Sequence, residues 1–217
     1  MPKPNLLVFA SGSRDGGGSG FENLVLRSRE GILGANIVAV VSNYENGGVR
    51  ERADRLGIRF IHFPKPQDAE GYRRIVINAG ADFVALSGWL KLVCGLDPRT
   101  TINIHPGPLP EFGGPGLYGH YVHEAVIAAF RQGEITHSAV SMHFVTPKYD
   151  EGPVFFKRRV KILDDDTSDS IAKRVNECEH RWQPIITNLV VRGEIRWDGQ
   201  NPSSLEYPPD YSIEQFE

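Results

Sequence analysis

The sequence predicts an α/β protein with a mostly parallel, twisted sheet and helices on both faces. Three observations carry that expectation. Short apolar runs alternate with amphipathic stretches in a βαβαβαβ rhythm through residue 86. A glycine-rich loop joins the first apolar run to the first helical stretch. The 217 residues, 40% hydrophobic, suffice for a substantial core, since chains of this size hide roughly 70% of their unfolded surface.

Asn5 to Ser11 is the first apolar run and reads as a buried strand, followed by the loop Gly12 to Gly20 and a helix over Phe21 to Arg29. Asn36 to Ser42 is a second strand, with a helix near Val49 to Leu56. Arg59 to Phe63 is a third strand, and Asp68 caps a helix running to Asn78. Asp82 to Leu86 and Thr101 to Ile104 follow as strands, the latter stopped by Pro106. Tyr121 to Arg131 places Val122, Ala125, Val126 and Ala129 on one helical face. Ser138 to Val145 and Val154 to Val160 are strands joined by the loop Thr146 to Pro153. The run Asp164-Asp165-Asp166-Thr167 begins a long helix, Ser168 to Val191, with acidic residues at the favourable end of its dipole. From Gln200 the chain is expected to be irregular. No linker divides it, so residues 1–217 read as one domain.

Ligands of such sheets bind outside the carboxyl ends of the strands. Three loops therefore matter: 12–20, 87–93 and 105–119. Glycines in the first let backbone N–H groups approach an anion at a helix start, which suits a phosphate. An unliganded surface loop is the competing reading. The loop has no full G-x-G-x-x-G, and the chain has no Gly-Lys dipeptide, which excludes a P-loop. In Ile102-Asn103-Ile104-His105-Pro106, the alternation of a strand puts Asn103 and His105 on one side and the isoleucines on the other. Asn offers an N–H to a developing oxyanion and His exchanges a proton near neutral pH. Taken alone, the pair serves equally well as polar residues satisfying a sheet end. Asp150, before Glu151-Gly152-Pro153, can orient an imidazole, although turn chemistry explains a lone Asp there more simply. His137 and His143 share a strand face, so one of them is a candidate to line the site. His120, His123 and Glu124 lack the spacing of a zinc motif, and no metal is expected. Lys157-Arg158-Arg159 reads as a solvated edge.

A net charge of −3 gives no global attraction to nucleic acid or an anionic membrane. Two distant cysteines, Cys94 and Cys178, make no disulfide framework, and neither a signal peptide nor a membrane span is apparent. A cytoplasmic protein is expected, monomer or homodimer, with small molecules as its partners.

Asn-Ile-His-Pro at 103–106, Leu-Pro at 109–110 and Asp-x-Gly-Pro at 150–153 resemble the folate-dependent formyltransferase superfamily. Phe112-Gly-Gly-Pro-Gly-Leu-Tyr-Gly119, Val122-His-Glu-Ala-Val126 and Arg174-Val-Asn-Glu-Cys-Glu-His180 narrow the resemblance to its phosphoribosylglycinamide formyltransferase family, over nearly the whole chain to about Ile195. The resemblance implies a Rossmann-like formyltransferase fold, with phosphate binding in residues 1–100 and catalysis and folate binding in 101–200. It implies transfer of the formyl group of 10-formyltetrahydrofolate to the amine of glycinamide ribonucleotide, without a metal. Asn103, His105 and Asp150 match the catalytic trio, with Asp150 holding His105 in its charged state. Gly18, Ser19, Gly20, Asn176 and Glu179 match contacts to the ribonucleotide. Leu90, Lys91, Leu92, Val93, Asn103, Thr146, Tyr149 and Asp150 match contacts to the folate. The chain departs from the family in the extra residues Ser13 to Gly17, in Gly107-Pro108 for Ser-Leu, in Pro115 for Lys, and in Ala69 near a folate-contacting Arg, for which Arg73, Arg74 or Lys65 are candidate substitutes.

Rival activities keep parts of this pattern. A methionyl-tRNA formyltransferase is expected to carry a further C-terminal RNA-binding domain, and a formyltetrahydrofolate deformylase an N-terminal regulatory domain. A sugar-nucleotide N-formyltransferase keeps the trio but not the Phe-Gly-Gly stretch. A nucleotide-binding module without chemistry has no use for the trio, and a nicotinamide oxidoreductase lacks its fingerprint.

Overall fold

Along β1 (Asn5–Phe9) the side chains alternate between two apolar layers. Leu6 and Val8 pack into one cluster, Leu7 and Phe9 into the other. This is the signature of a strand buried on both faces, and it sits mid-sheet. The computed structural model describes residues 2–14 and 16–215, Gln215 by its backbone alone. The remaining elements are α1 (Ser19–Arg29), β2 (Asn36–Ser42), α2 (Gly48–Leu56), β3 (Phe60–His62), α3 (Ala69–Ala79), β4 (Phe83–Ser87), β5 (Thr101–His105), α4 (His120–Arg131), β6 (His137–Phe144), β7 (Val154–Lys161), α5 (Ser168–Val191) and β8 (Glu214–Gln215).

The sheet order is β3-β2-β1-β4-β5-β6-β7-β8. The strands from β3 to β5 pair in parallel, β6 is antiparallel to both β5 and β7, and β8 is parallel to β7. The expected mostly parallel sheet with helices on both faces is present, but the helices are divided unevenly. Residues of α1, α2, α4 and α5 build one core layer; α3, through Tyr72 and Ile75, covers the other. Chain direction across the sheet reverses between β1 and β4, so a crevice opens at their carboxyl ends.

Two helix starts follow the sequence. The Asp68 carboxylate accepts the Gly71 N–H at 2.8 Å, and Thr167 and Ser170 form a reciprocal capping box on α5. The acidic run before α5 differs from a wholly solvated helix end. Asp166 is buried and accepts from Arg174 at 2.6 Å, which holds its carboxyl well below the usual range.

The tail also differs from the expected irregular segment. Arg196 and Glu206 pair across an isolated bridge, the Tyr211 hydroxyl donates to the Phe155 carbonyl at 2.8 Å, and β8 lies along β7. The edge of β7 is thus covered rather than solvated. Lys157 and Arg159 face Glu214, and the Arg158 guanidinium lies 5.1 Å from the Trp182 ring. An open strand edge is a liability, and a two-residue strand from the tail suffices to close this one.

Candidate active site

The crevice is a cavity of about 440 Å³ at the carboxyl ends of β1, β4 and β5, within the range that holds a small organic ligand. Four walls enclose it: the glycine loop, the segment after β4, the end of β5 with residue 150, and α5. Ser11 ties the first two walls together. Its N–H donates to the Gly88 carbonyl at 2.9 Å, and its hydroxyl accepts the Leu90 N–H at 2.9 Å.

The glycine loop is shorter in effect than in sequence. The Ser13 N–H donates to the Gly16 carbonyl at 2.9 Å, so the chain that leaves the path at Ser13 is back beside it at Gly16. A Cβ placed on Gly17 would collide with the backbone of Gly12, which shows that the two ends of this excursion touch. Gly12, Gly17, Gly18, Ser19 and Gly20 therefore present one continuous turn to the cavity. Gly18, at φ 79°, is the cap residue of α1, and the first N–H groups of that helix have no helical partner. On the outer side, Arg52 donates to the Gly17 carbonyl at 2.9 Å while pairing with Glu22. This end offers N–H donors and a helix dipole to an anion.

At the end of β5, Asn103 and His105 point the same way, with Ile102 and Ile104 buried behind them. Asp150, held at φ 53°, closes over this pair. Its Oδ2 accepts the Gly114 N–H at 3.0 Å and stands 3.8 Å from His105 Nδ1; its Oδ1 is 3.4 Å from His143 Nε2. His105 Nε2 donates to the Phe112 carbonyl at 2.7 Å. Burial pushes the His105 imidazole below its ordinary pKa, and neither the Asp150 charge nor the Phe112 carbonyl overcomes it. At 3.8 Å the Asp150 carboxylate is beyond hydrogen-bond reach of the ring, so in the ligand-free protein it faces His105 as a charge only. Nε2 carries its proton, so Nδ1, the nitrogen facing Asp150, is the atom free to take one. Burial alone would raise the Asp150 carboxyl, but the groups that face it, the Gly114 N–H among them, outweigh burial and hold it below the usual carboxylate range.

α5 supplies the third chemistry-bearing wall. Asn176, Glu179, His180 and Gln183 line the cavity at helical spacing. Asn176 donates to Glu179 at 3.3 Å, and burial pushes the Glu179 carboxyl up to about 7. His180 meets the Ser19 hydroxyl at 3.2 Å, and Gln183 accepts from the Ser87 hydroxyl at 3.1 Å.

The structure therefore brings together Asn103, His105, Asp150, Gly18, Ser19, Gly20, Asn176, Glu179, Leu90 and Tyr149 around one cavity. It does not bring the rest of the expected folate segments there. Lys91, Leu92, Val93 and Thr146 lie outside the lining; Val93 is buried in the core layer under α3, and Leu92 is exposed with its carbonyl accepting from Tyr72 at 3.1 Å. Sequence reasoning missed Gln183, although a buried glutamine one turn beyond Glu179 extends the same polar stripe on an apolar helix. It pointed to the loops 87–93 and 105–119 but not to Trp89, Leu117 and Tyr118 within them, which line the cavity. Of the two β6 histidines, His143 is the one at the site; its Nε2 lies 2.9 Å from Asn103 Nδ2. His120 and His123 sit at the cavity wall, and among the described residues no group of three or more His, Cys, Asp or Glu side chains is placed to hold a metal.

An oxyanion donor, an imidazole with an open nitrogen and a buried carboxylate, set beside an anion-binding turn, are the equipment of an acyl- or formyl-group transferase. Comparison with known proteins agrees: residues 5–187 match the formyl transferase family, and the chain belongs to it. Its relatives include the chloroplastic phosphoribosylglycinamide formyltransferase of Arabidopsis thaliana, 34% identical over 206 residues covering 90% of this chain and 68% of that protein. The phosphoribosylglycinamide formyltransferase of Bacillus subtilis (strain 168) is 30% identical, covering 86% and 96%. Among solved structures, glycinamide ribonucleotide transformylase 1 from Symbiobacterium toebii superposes with a TM-score of 0.80 at 27% identity over 94% of each chain.

Proposed function

We infer that the chain transfers the formyl group of 10-formyltetrahydrofolate to the amine of glycinamide ribonucleotide in purine biosynthesis. The observation that carries this reading is the arrangement of Asn103, His105 and Asp150 within one cavity that also contains the Gly17–Gly20 turn. A ribonucleotide phosphate fits the N–H groups of that turn, whose path at Gly17 leaves no room for a Cβ against the Gly12 backbone. Asn176 and Glu179 then face the ribose. A flat heteroaromatic donor fits the opposite wall, between Leu90 and Tyr149, with Trp89 behind.

The donor supplies an electrophilic formyl carbon, and the chain's residues supply positioning and charge. Attack by the amine places negative charge on the formyl oxygen, to which the Asn103 amide N–H donates. Such a donor is worth about 3–4 kcal/mol in a water-poor site. His105 takes a proton at Nδ1 as the amine loses one, and the imidazolium so formed sits against the Asp150 carboxylate. When the tetrahedral adduct collapses, the formyl carbon–nitrogen bond to the donor breaks and that proton passes to the departing tetrahydrofolate nitrogen. Burial keeps the imidazolium charge costly even with Asp150 facing it, which confines the charged state to the reacting complex. Two substrates held in one cavity contribute the remaining advantage, proximity. The reading requires no metal. A cytoplasmic setting without nucleic-acid or membrane partners belongs to it, supported by the near-balanced charge of the chain; no helix among the described residues is long and apolar enough to cross a membrane.

The test is tetrahydrofolate release from 10-formyltetrahydrofolate with and without glycinamide ribonucleotide. Release that requires the ribonucleotide is expected. Release without it makes the chain a hydrolase, and no release under either condition removes the reading.

A further inference from the structure

Asn103 can help an oxyanion only if its amide nitrogen, rather than its oxygen, is turned toward the substrate. A carboxamide is nearly symmetric in shape, so its orientation must be fixed by a neighbour. His143 is that neighbour. It is buried at 2% exposure in mid-sheet, paired with Asn103 across the β5–β6 ladder. Its Nδ1 lies 2.8 Å from the Phe144 carbonyl, which can only accept, so Nδ1 carries the proton. In the neutral ring Nε2 is then a bare lone pair, 2.9 Å from Asn103 Nδ2. A lone pair there accepts the amide N–H and repels the amide oxygen. One hydrogen of the Asn103 amide is thereby fixed on His143, and the second is left for the cavity.

We propose that His143 is a positioning residue for formyl transfer: its Nδ1–H tautomer sets the orientation of the Asn103 amide. The proposal rests on the reading of Asn103 as oxyanion donor. The other charged group facing His143 is Asp150, whose Oδ1 stands 3.4 Å from the same Nε2. A doubly protonated ring would satisfy Asp150 and give up Asn103; of the two contacts that to Asn103 is the shorter, 2.9 Å against 3.4 Å. The alternation of His143 with buried Ser141 on β6 completes the arrangement, since the Ser141 hydroxyl donates to the Gly107 carbonyl at 2.8 Å and accepts the Leu109 N–H at 3.2 Å. One strand face therefore holds both Asn103 and the loop that follows His105.

The tautomer is measurable without turnover. In ¹⁵N spectra of the ligand-free protein at pH 8, His143 is expected to be protonated at Nδ1 and bare at Nε2; a proton on Nε2 overturns the proposal. For turnover, His143→Leu keeps the apolar volume and removes the acceptor, while His143→Gln restores an oxygen acceptor near the Nε2 position. The leucine variant is expected to lose about 100-fold or more in kcat, as when an oxyanion donor is lost, with both KM values within about threefold, the signature of an interaction made in the transition state. Glutamine is expected to recover at least about tenfold over leucine. Equal activity of the two variants, or a leucine variant as active as the parent, assigns His143 a space-filling role only. If leucine prevents folding, the spectrum and the glutamine variant decide. If the parent protein shows no formyl transfer, the reading of the site fails, while the spectrum still decides the His143–Asn103 contact.

Discussion

The two ends of the cavity are built on opposite principles. At the carboxyl end of β5, function resides in side chains: Asn103, His105, His143 and Asp150 are each held by hydrogen bonds or facing charge and are mostly buried. At the carboxyl end of β1 the wall is backbone, and on the proposed reading it binds through N–H groups: a Cβ on Gly12, Gly17 or Gly18 would run into Val49 or the Gly12 backbone. Chemistry needs particular atoms at particular distances, whereas anion binding needs room for a ligand to reach N–H groups. Substitutions should therefore separate the ends: the β5 end through kcat and the β1 end through KM for the ribonucleotide.

The largest effect belongs to the side-chain end. Asn103→Ala or His105→Ala is expected to lower kcat by about 10²–10³-fold with little change in melting temperature. A KM change of that size with kcat retained would erase the contrast between the ends. Next comes the glycine end. Gly17→Ala adds a Cβ against the Gly12 backbone at a residue with φ 86°. It is expected to cost about 1–3 kcal/mol of stability and to raise KM for glycinamide ribonucleotide about tenfold or more with kcat largely kept. Chemical denaturation and steady-state kinetics check both parts.

The same contrast explains what was legible in the sequence. The β5 end could be read because strand alternation assigns Asn103 and His105 to one side, and Pro106 marks where the strand stops. Asp150 carried no local signal; its approach to His105 and His143 depends on a left-handed turn and on register across two antiparallel strands. The glycine end was legible only as a count of glycines. That residues 13–16 form a closed excursion depends on the Ser13–Gly16 contact, and no pattern in the loop announces it. The fold was read nearly element by element through β7, because buried strands and amphipathic helices have distinct periods. The tail was not, since β8 is two residues long and pairs only because β7 presents an edge. The resemblance points to the backbone of residues 90–93 as a block; of their side chains, that of Leu90 lines the cavity and that of Val93 turns into the core.

Between the two ends lies Glu179, whose carboxyl is pushed up to about 7 by burial. A folded-state pKa above the ordinary carboxylate value means that the protonated form favours the fold. That contribution is complete below about pH 4.5, the unperturbed value, and is lost as pH rises through 7. The melting temperature of the parent should therefore fall relative to Glu179→Gln between pH 5 and 8. On the proposed function an ionised Glu179 can accept from two ribose hydroxyls where glutamine accepts at one oxygen, so glutamine is expected to weaken ribonucleotide binding by about tenfold at pH 8 and less at pH 6. Melting curves parallel for the two proteins across this range would show that Glu179 stays ionised and solvated.

The smallest effect is expected from the largest change in sequence. Deleting residues 13–16 joins Gly12 to Gly17, which already touch, so the turn presented to the cavity keeps its path. The excursion packs outward instead: the Gly48 N–H meets the Ser13 carbonyl at 3.4 Å, and a Cβ on Gly48 would stand 2.6 Å from the Gly16 carbonyl. Gly48 thus makes room for the excursion, away from the phosphate. Kinetic constants within about threefold of the parent are expected, as for surface-loop deletions generally. Stability should fall slightly, through the lost contacts with α2, and Gly48→Ala in the shortened chain should no longer be costly. A large rise in ribonucleotide KM on deletion would place residues 13–16 in the anion grip itself, and the glycine end would then depend on inserted backbone as well as on missing side chains.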